Sequence, residues 1–223
     1  MEENYTQEKL KPSGLFKGIF DIIESLSYAI IVVVMLFTFI AKLTVVDGSS
    51  MENTLYQGQY LVVVNPFFTY TPNQNDIVVI HGDFLGDNYD HPIVKRVIAT
   101  GGQTVEIDLW SKSVYVDDVL FVEPEGVKWA PNDALRLEPT ICEYLKDEGG
   151  NIVYDDNGHP IVSKNYYDPT TRTLKVTVPD GHVFVLGDNR DNSADSRLAE
   201  IGFIPNNYIL GKVAFRIAPF TFF

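Results

Sequence analysis

The stretch SLSYAIIVVVMLFTFIA, residues 25–41, carries no charged side chain, and it divides the chain into two parts of different character. An α-helix rises about 1.5 Å per residue, so this stretch nearly spans a hydrocarbon core of about 30 Å. Upstream, apolar residues recur at helical spacing between charged ones, which is typical of an interfacial helix within residues 1–24. The uncharged stretch exceeds the core of a usual signal peptide, and no Ala-x-Ala-like site follows it. It therefore predicts an uncleaved transmembrane anchor.

The lysines on either side of this stretch indicate how the chain crosses a membrane. Lys9, Lys11 and Lys17 precede it, and Lys42 follows it. Because cytoplasmic loops carry an excess of lysine and arginine, we expect the N-terminus in the cytoplasm and residues 43–223 outside it. The sequence thus predicts a single-pass protein of the plasma membrane, with the lipid bilayer as one partner.

The remainder of the chain consists of short β-branched stretches separated by Gly, Pro, Asn and Asp, as expected for strands joined by turns. The predicted strands are 60–65, 76–82, 93–99, 104–107, 113–118, 174–179, 182–188 and 209–217. An irregular, acidic insert covers about 120–172. Within it, YDDNGHP at 154–160 predicts a hairpin turn, and 131–148 has room for one helix. The fold class is therefore mainly β.

Composition excludes several classes of function. The net charge of −13 repels phosphate and argues against a nucleic-acid partner. The only cysteine is Cys142, so neither an intramolecular disulfide nor a cysteine zinc cluster can form. The histidines show no metal-ligand spacing, and we expect neither a metal nor a cofactor.

The stretch DGSSMENTL, residues 47–55, has two interpretations. Ser49 and Glu52 have the S-x-x-E spacing of a capping box, which would begin a short helix. Alternatively, Gly48 permits a tight turn whose N–H groups point inward, as an oxyanion hole beside a nucleophilic serine requires.

The stretch IVKRVIATGG, residues 93–102, places Lys95 and Arg96 inside an apolar strand. On an edge strand, a lysine would discourage aggregation. On an inner strand it would be buried, and burial lowers the pKa of a lysine until the neutral form can act as a base.

The stretch LGDNRDNSADSR, residues 186–197, follows an apolar strand with charges that alternate in sign. This pattern indicates a network of ion pairs that fixes a loop. Its serines, Ser193 and Ser196, are placed to orient another group by hydrogen bonding.

With these stretches in this order after an anchor, the chain resembles the bacterial type I signal peptidases. The similar boxes are SMENTL, KRVIATGG and GDNRDNSADSR, and the ending GFIPNNYILGKVAFRI at 202–217 is also similar. The resemblance implies a membrane-anchored, signal-peptidase-like β fold. It also implies a serine endopeptidase with a Ser-Lys dyad, which removes N-terminal signal peptides from exported preproteins.

The resemblance assigns roles residue by residue. Ser50, directly before the methionine, matches the nucleophile, and Lys95 matches the general base. Ser193 matches the serine that hydrogen-bonds the lysine, and Asp195 and Arg197 match the supporting pair that follows.

Two residues and one short stretch concern the shape of the site. Gly48 lies where some relatives have an oxyanion-hole serine, which leaves the Ser50 N–H as the main donor. The sequence departs from the family pattern at Asn53, where the family has proline, and at ATGGQ, residues 99–103.

The resemblance also implies that a preprotein lies extended against the strand before Ser50 and the strand that carries Lys95. Val46, Met51, Leu55 and Val94 are then expected to line the floor beneath substrate positions −1 and −3. These side chains are apolar and of medium size, so the pockets should be shallow and Ala-x-Ala should be preferred.

Other functions remain open at the level of sequence. A Ser-His peptidase could use His91 as its base. The self-cleaving repressor of the DNA-damage response shares a Ser-Lys site, but it has no such anchor. An anchored, non-catalytic β-domain that binds a cell-envelope partner would tolerate any change at Ser50 and Lys95.

Overall fold

The structure is a computed structural model, and it describes residues 14–39, 41–64, 71–85, 91–129, 138–217 and 220–223. The chain forms two compact units, Met1–Ala41 and Lys42–Phe223. Over these described residues the fold is mainly β with one long helix, in agreement with the expected fold class.

The first unit contains helix α1, Gly14–Phe39. Its segment Lys17–Met35 is long and apolar enough to cross a membrane, and the side chains of this segment are exposed. One continuous helix thus covers most of the anchor and the end of the expected interfacial segment, whose residues 1–13 lie outside the described part of the chain.

The second unit is built from strands. They are β1 Ala41–Val45, β2 Tyr60–Val64, β3 Ile77–Ile80, β4 Ile93–Thr100, β5 Thr104–Asp108, β6 Ser113–Val116, β7 Val119–Leu120, β8 Cys142–Tyr144, β9 Val162–Asn165, β10 Tyr167–Asp168, β11 Thr173–Thr177, β12 His182–Leu186, β13 Ile204–Pro205, β14 Ile209–Arg216 and β15 Thr221–Phe222. Short 3-10 helices occupy Gly82–Leu85 and Asn206–Tyr208. Each of the strands predicted from sequence is confirmed within two residues at either end.

The larger sheet has the order β1-β2-β14-β3-β4-β12-β13, with β15 paired to β14. Strand β4 lies inside this sheet, antiparallel to both β3 and β12. The edge-strand interpretation of Lys95 is therefore wrong. Val97, Ile98 and Ala99 of β4 are fully buried, which explains why the strand reads as a continuous apolar run.

A second sheet has the order β10-β11-β5-β6-β7. It shares a core with the larger sheet, in which Ile98 and Phe184 pack with Ile107 and Leu174. A separate core cluster includes Met51, Leu55, Leu61 and Val213 and lies beneath the turn after β1.

The insert contains the two-stranded sheet of β8 and β9. The predicted hairpin turn is confirmed, because the Asp155 and Gly158 N–H groups close it by bonding His159 and Asp155 carbonyls. The predicted helix is wrong over the described residues 138–148. There, β8 pairs with β9, and Ile141 is buried in the core between the sheets.

Candidate active site

The turn after β1 presents Ser50. Gly48 has a φ of +92°, a conformation that favours glycine. Met51 and Leu55 are buried on the other side of the turn and hold it against the core. No helix begins here, so the capping-box interpretation is wrong: the Ser49 Oγ instead accepts a hydrogen bond of 2.7 Å from the Asn192 side chain.

Strand β4 brings Lys95 to Ser50. The Lys95 Nζ lies 2.7 Å from the Ser50 Oγ and 3.2 Å from the Val94 carbonyl oxygen. Only 3% of Lys95 is exposed. Burial lowers the pKa of Lys95 from 10.5 to about 8, although the charges of Asp195 and Asp188 oppose this shift.

The neighbouring Arg96 is also buried, and it is fully paired. Its Nε and Nη2 donate to the two carboxylate oxygens of Asp188 at 2.8 Å and 2.7 Å. The same carboxylate accepts a hydrogen bond of 2.5 Å from the Thr54 hydroxyl. Asp188 thus joins the strand that carries Lys95, its own loop and the turn that carries Ser50.

The loop after β12 is fixed from within by a second buried ion pair. The Arg197 Nε and Nη2 donate to the two Asp195 carboxylate oxygens at 2.8 Å and 2.9 Å. Asp195 also accepts the Gly187 N–H at 3.1 Å. Although burial opposes it, the charge and hydrogen bonds of Arg197 lower the pKa of Asp195, which therefore remains a carboxylate.

Ser193 lies beside the site without bonding the lysine. Its hydroxyl is 3.5 Å from the Ala194 carbonyl oxygen, whereas the hydrogen bonds of Lys95 go to Ser50 and Val94. Gly187 lies between Ser193 and Ser50, since a Cβ at that position would come within 2.5 Å of both residues. The expected Ser193–Lys95 hydrogen bond is not formed in this arrangement.

Sequence reasoning missed the contacts that hold the Ser50 backbone. The Asn189 N–H donates to the Ser50 carbonyl oxygen at 3.0 Å, and its side chain donates to the Ser49 carbonyl oxygen at 3.1 Å. Asn189 and Asn192 lie in the polar stretch 186–197, which the sequence analysis had singled out. The sequence does not show, however, that they hydrogen-bond Ser49 and Ser50.

The expected pocket residues differ in exposure. Val94 is half-buried. Val46, Met51 and Leu55 belong to the core beneath the turn, with exposures of 3%, 2% and 0%. Leu55 cannot touch a substrate here, because its neighbours cover it completely. Of the four, only Val94 is partly exposed.

The position of His91 and the arrangement of possible metal ligands also bear on the chemistry of the site. His91 is exposed, and its ring makes no hydrogen bond to Ser50 in the part of the chain that the structure describes. Within the same residues, no three His, Cys, Asp or Glu side chains cluster as a metal site requires.

Comparison with known proteins places this chain in a family. A family model described as signal peptidase, peptidase S26, matches residues 19–218. A probable signal peptidase I-1 of Synechocystis sp. is 32% identical, and the match covers 88% of this chain and 81% of that protein. Signal peptidase I of Bacillus caldolyticus is 34% identical, covering 87% and 89% of the two chains. Signal peptidase IB of Staphylococcus aureus strain COL is 30% identical, covering 93% of each. The chain belongs to the signal peptidase family, peptidase S26.

Proposed function

We propose that this chain is a membrane-anchored serine endopeptidase that removes signal peptides from exported preproteins, with Ser50 as nucleophile and Lys95 as general base. The observation that carries the proposal is the 2.7 Å contact between the Lys95 Nζ and the Ser50 Oγ inside a buried site. Family membership supports the reaction class, and the geometry supports the assignment of roles.

The reaction begins with a proton transfer. Neutral Lys95 accepts the proton of the Ser50 hydroxyl while the Oγ attacks the scissile carbonyl carbon. The tetrahedral intermediate then collapses, the peptide C–N bond breaks, and Lys95 returns the proton to the leaving amine. Water attacks the resulting ester with Lys95 again as base, which releases the signal peptide and regenerates Ser50.

The lowered pKa decides whether this base is available. With a pKa of about 8, roughly a tenth of Lys95 is neutral at pH 7. An unperturbed lysine with a pKa near 10.4 would be neutral in fewer than about one molecule in a thousand. Burial of the side chain therefore raises the population of the reactive form more than a hundredfold.

The negative charge that develops on the carbonyl oxygen needs a donor. The Ser50 N–H makes no hydrogen bond within the described residues, so it is free to serve. Gly48 adds no side-chain donor beside it. Asn189 and Asp188 hold the turn in place, so the donor needs little reorganisation during the reaction.

The preprotein is proposed to lie extended beside β4, with residues −1 and −3 facing the same way. Val94 then limits the size of the side chain that fits, which favours small residues such as those of Ala-x-Ala. The N-terminus is proposed to lie in the cytoplasm and the site at the outer surface of the plasma membrane. The cleavage site of a tethered precursor lies at the same outer surface.

The test is cleavage of a signal-bearing precursor by the detergent-solubilised full chain. Sequencing of the new N-terminus should reveal a cut after Ala-x-Ala. Precursors with Phe or Lys at −1 should remain uncut. Efficient cleavage of those precursors would overturn the specificity, and no cleavage of any precursor would overturn the proposed function.

A further inference from the structure

A segment outside the three motif stretches closes around the active-site loop. Residues Glu123–Trp129 follow β7 and run beside the loop that carries Asn189. The Lys128 N–H donates to the Asp188 carbonyl oxygen at 2.8 Å, and the Arg190 N–H donates to the Lys128 carbonyl oxygen at 2.9 Å. This pair of bonds is a parallel bridge centred on Asn189.

Asn189 is therefore held on both sides. Its flanking peptide groups bond Lys128, while its own N–H donates to the Ser50 carbonyl oxygen at 3.0 Å. A displacement of the Glu123–Trp129 segment would be transmitted through Asn189 to the nucleophile. The Asn53 N–H also donates to the Gly126 carbonyl oxygen at 3.4 Å, so the segment contacts the Ser50 turn directly as well.

Glu123 fixes this segment to the loop through side chains. One carboxylate oxygen accepts a hydrogen bond of 2.6 Å from the Arg190 Nη1, and the other accepts one of 2.9 Å from the Trp129 Nε1. The Arg190 guanidinium also lies 5.3 Å from the centre of the Trp129 ring. A single carboxylate thus joins the two ends of the segment to the buried arginine.

Arg190 depends strongly on that carboxylate. It is fully buried, and burial lowers its pKa while the charge of Glu123 opposes the shift. Its Nε donates to the Gly187 carbonyl oxygen at 3.1 Å, but its Nη2 has no hydrogen-bond partner among the residues described. Loss of Glu123 would leave a buried cation without its hydrogen-bonded counter-charge, and the loop would have to move to solvate it.

We propose that Glu123 is a positioning residue for the cleavage reaction: by holding Arg190 and Trp129 it keeps Asn189 against the Ser50 carbonyl and so aligns the nucleophile. Glu123 touches neither Ser50 nor Lys95. Its removal should therefore slow the attack more than it weakens substrate binding, because small misplacements of a reacting group cost large factors in rate. This inference rests on the proposed function.

The experiment compares Glu123→Gln, Glu123→Asp and Glu125→Gln in the full-length chain in detergent, with a short peptide that spans a signal-peptide cleavage site. We expect Glu123→Gln to lower kcat at least tenfold while KM stays within twofold of wild type. Glu123→Asp, which keeps the charge, should recover part of the loss. Glu125 is an exposed acid of the same segment, and its variant should match wild type.

Two readouts separate positioning from loss of fold. The apparent pKa of the acid side of the pH profile should stay at its wild-type value, because Lys95 remains buried. Circular dichroism should show the variant folded at the assay temperature. A kcat within twofold of wild type, or a loss equal to the unfolded fraction, would overturn the role of Glu123. An inactive wild type would instead overturn the proposed function, so the two failures are distinguishable.

Discussion

At the scale of single residues, Ser49 and Ser50 are neighbours with different surroundings. The Ser50 Oγ contacts the Lys95 Nζ, whereas the Ser49 Oγ accepts a hydrogen bond from the side-chain amide of Asn192. We expect Ser50→Ala to abolish precursor cleavage, and Ser49→Ala to lower kcat/KM less than about tenfold, since one neutral hydrogen bond contributes about 1 kcal/mol. A cleavage assay on purified variants checks this. An active Ser50→Ala protein would show that the nucleophile lies elsewhere.

Lys95 is expected to act through its neutral form. Lys95→Arg should be as inactive as Lys95→Ala, because an arginine does not give up its proton in a protein. In the wild type, kcat/KM should rise with pH through about 8, where Lys95 loses its proton, and should level off above it. Initial rates between pH 6 and pH 10 provide the measurement. Turnover by the arginine variant would exclude lysine as the base.

The same residue makes the stability of the fold depend on pH. The pKa of Lys95 is about 8 in the folded chain and near 10.5 when unfolded, so between these values the unfolded chain binds more protons. Stability from this group therefore rises with pH across that window, by about 3 kcal/mol in total. We expect Lys95→Met to be more stable than wild type at pH 7. The difference between the two free energies of unfolding should be smaller at pH 10.5, by about 3 kcal/mol. Denaturant unfolding at both pH values measures it, and a constant difference would contradict the shifted pKa.

Sequence reasoning placed Ser50 and Lys95 within reach of each other because each lies at a recognisable point of a motif. It did not foresee that Leu55 would be fully covered or that the Ser193 hydroxyl would turn toward backbone. Those outcomes depend on packing around the turn and on rotamers, which the order of residue types does not specify.

At the scale of elements, Asp188 joins three of them through hydrogen bonds to Arg96 and Thr54. Asp188→Ala leaves the buried Arg96 without its carboxylate, so we expect a loss of about 3–5 kcal/mol in the free energy of unfolding. Asp191→Ala is the matched control, since this half-buried acid of the same loop makes no ion pair among the described residues. Denaturant titration of both variants is the measurement. Equal stability of the two would show that the Asp188 network contributes little.

Strands were predictable here because their β-branched runs are bounded by turn residues. The helix expected over 131–148 is wrong over the described residues 138–148, for a reason of tertiary structure. Ile141 enters the core between the sheets, and Cys142–Tyr144 pairs with Val162–Asn165, so burial and sheet pairing outweigh local helix propensity.

At the scale of the whole molecule, the fold explains why distant motifs meet. Strand β4 lies between β3 and β12. Leu186, the last residue of β12, lies opposite Arg96, so the loop that follows leaves the sheet next to Lys95. The Ser50 turn sits on its own core cluster, to which the C-terminal Phe223 also packs. Phe220 and Phe222 are 61% and 70% exposed, so the aromatic end of the chain is only partly used for packing.

The unit Lys42–Phe223 contains three clusters of buried apolar residues and every residue assigned to the site, whereas α1 contributes none of them. We therefore expect a variant that lacks residues 1–40 to cleave a short soluble peptide with a kcat/KM within about threefold of the full chain. Its activity on precursors inserted in lipid vesicles should fall far more, by about 10²–10⁴, because the anchor confines enzyme and substrate to one surface and raises their effective concentration.

The measurement is a comparison of both proteins on both substrates, with the truncated Ser50→Ala protein as the control for background hydrolysis. An equal loss on the peptide and on the vesicle-bound precursor would show that the first unit is required for the site itself. A selective loss on the vesicle-bound precursor would mean that the helix acts by placing the serine where its substrates are tethered.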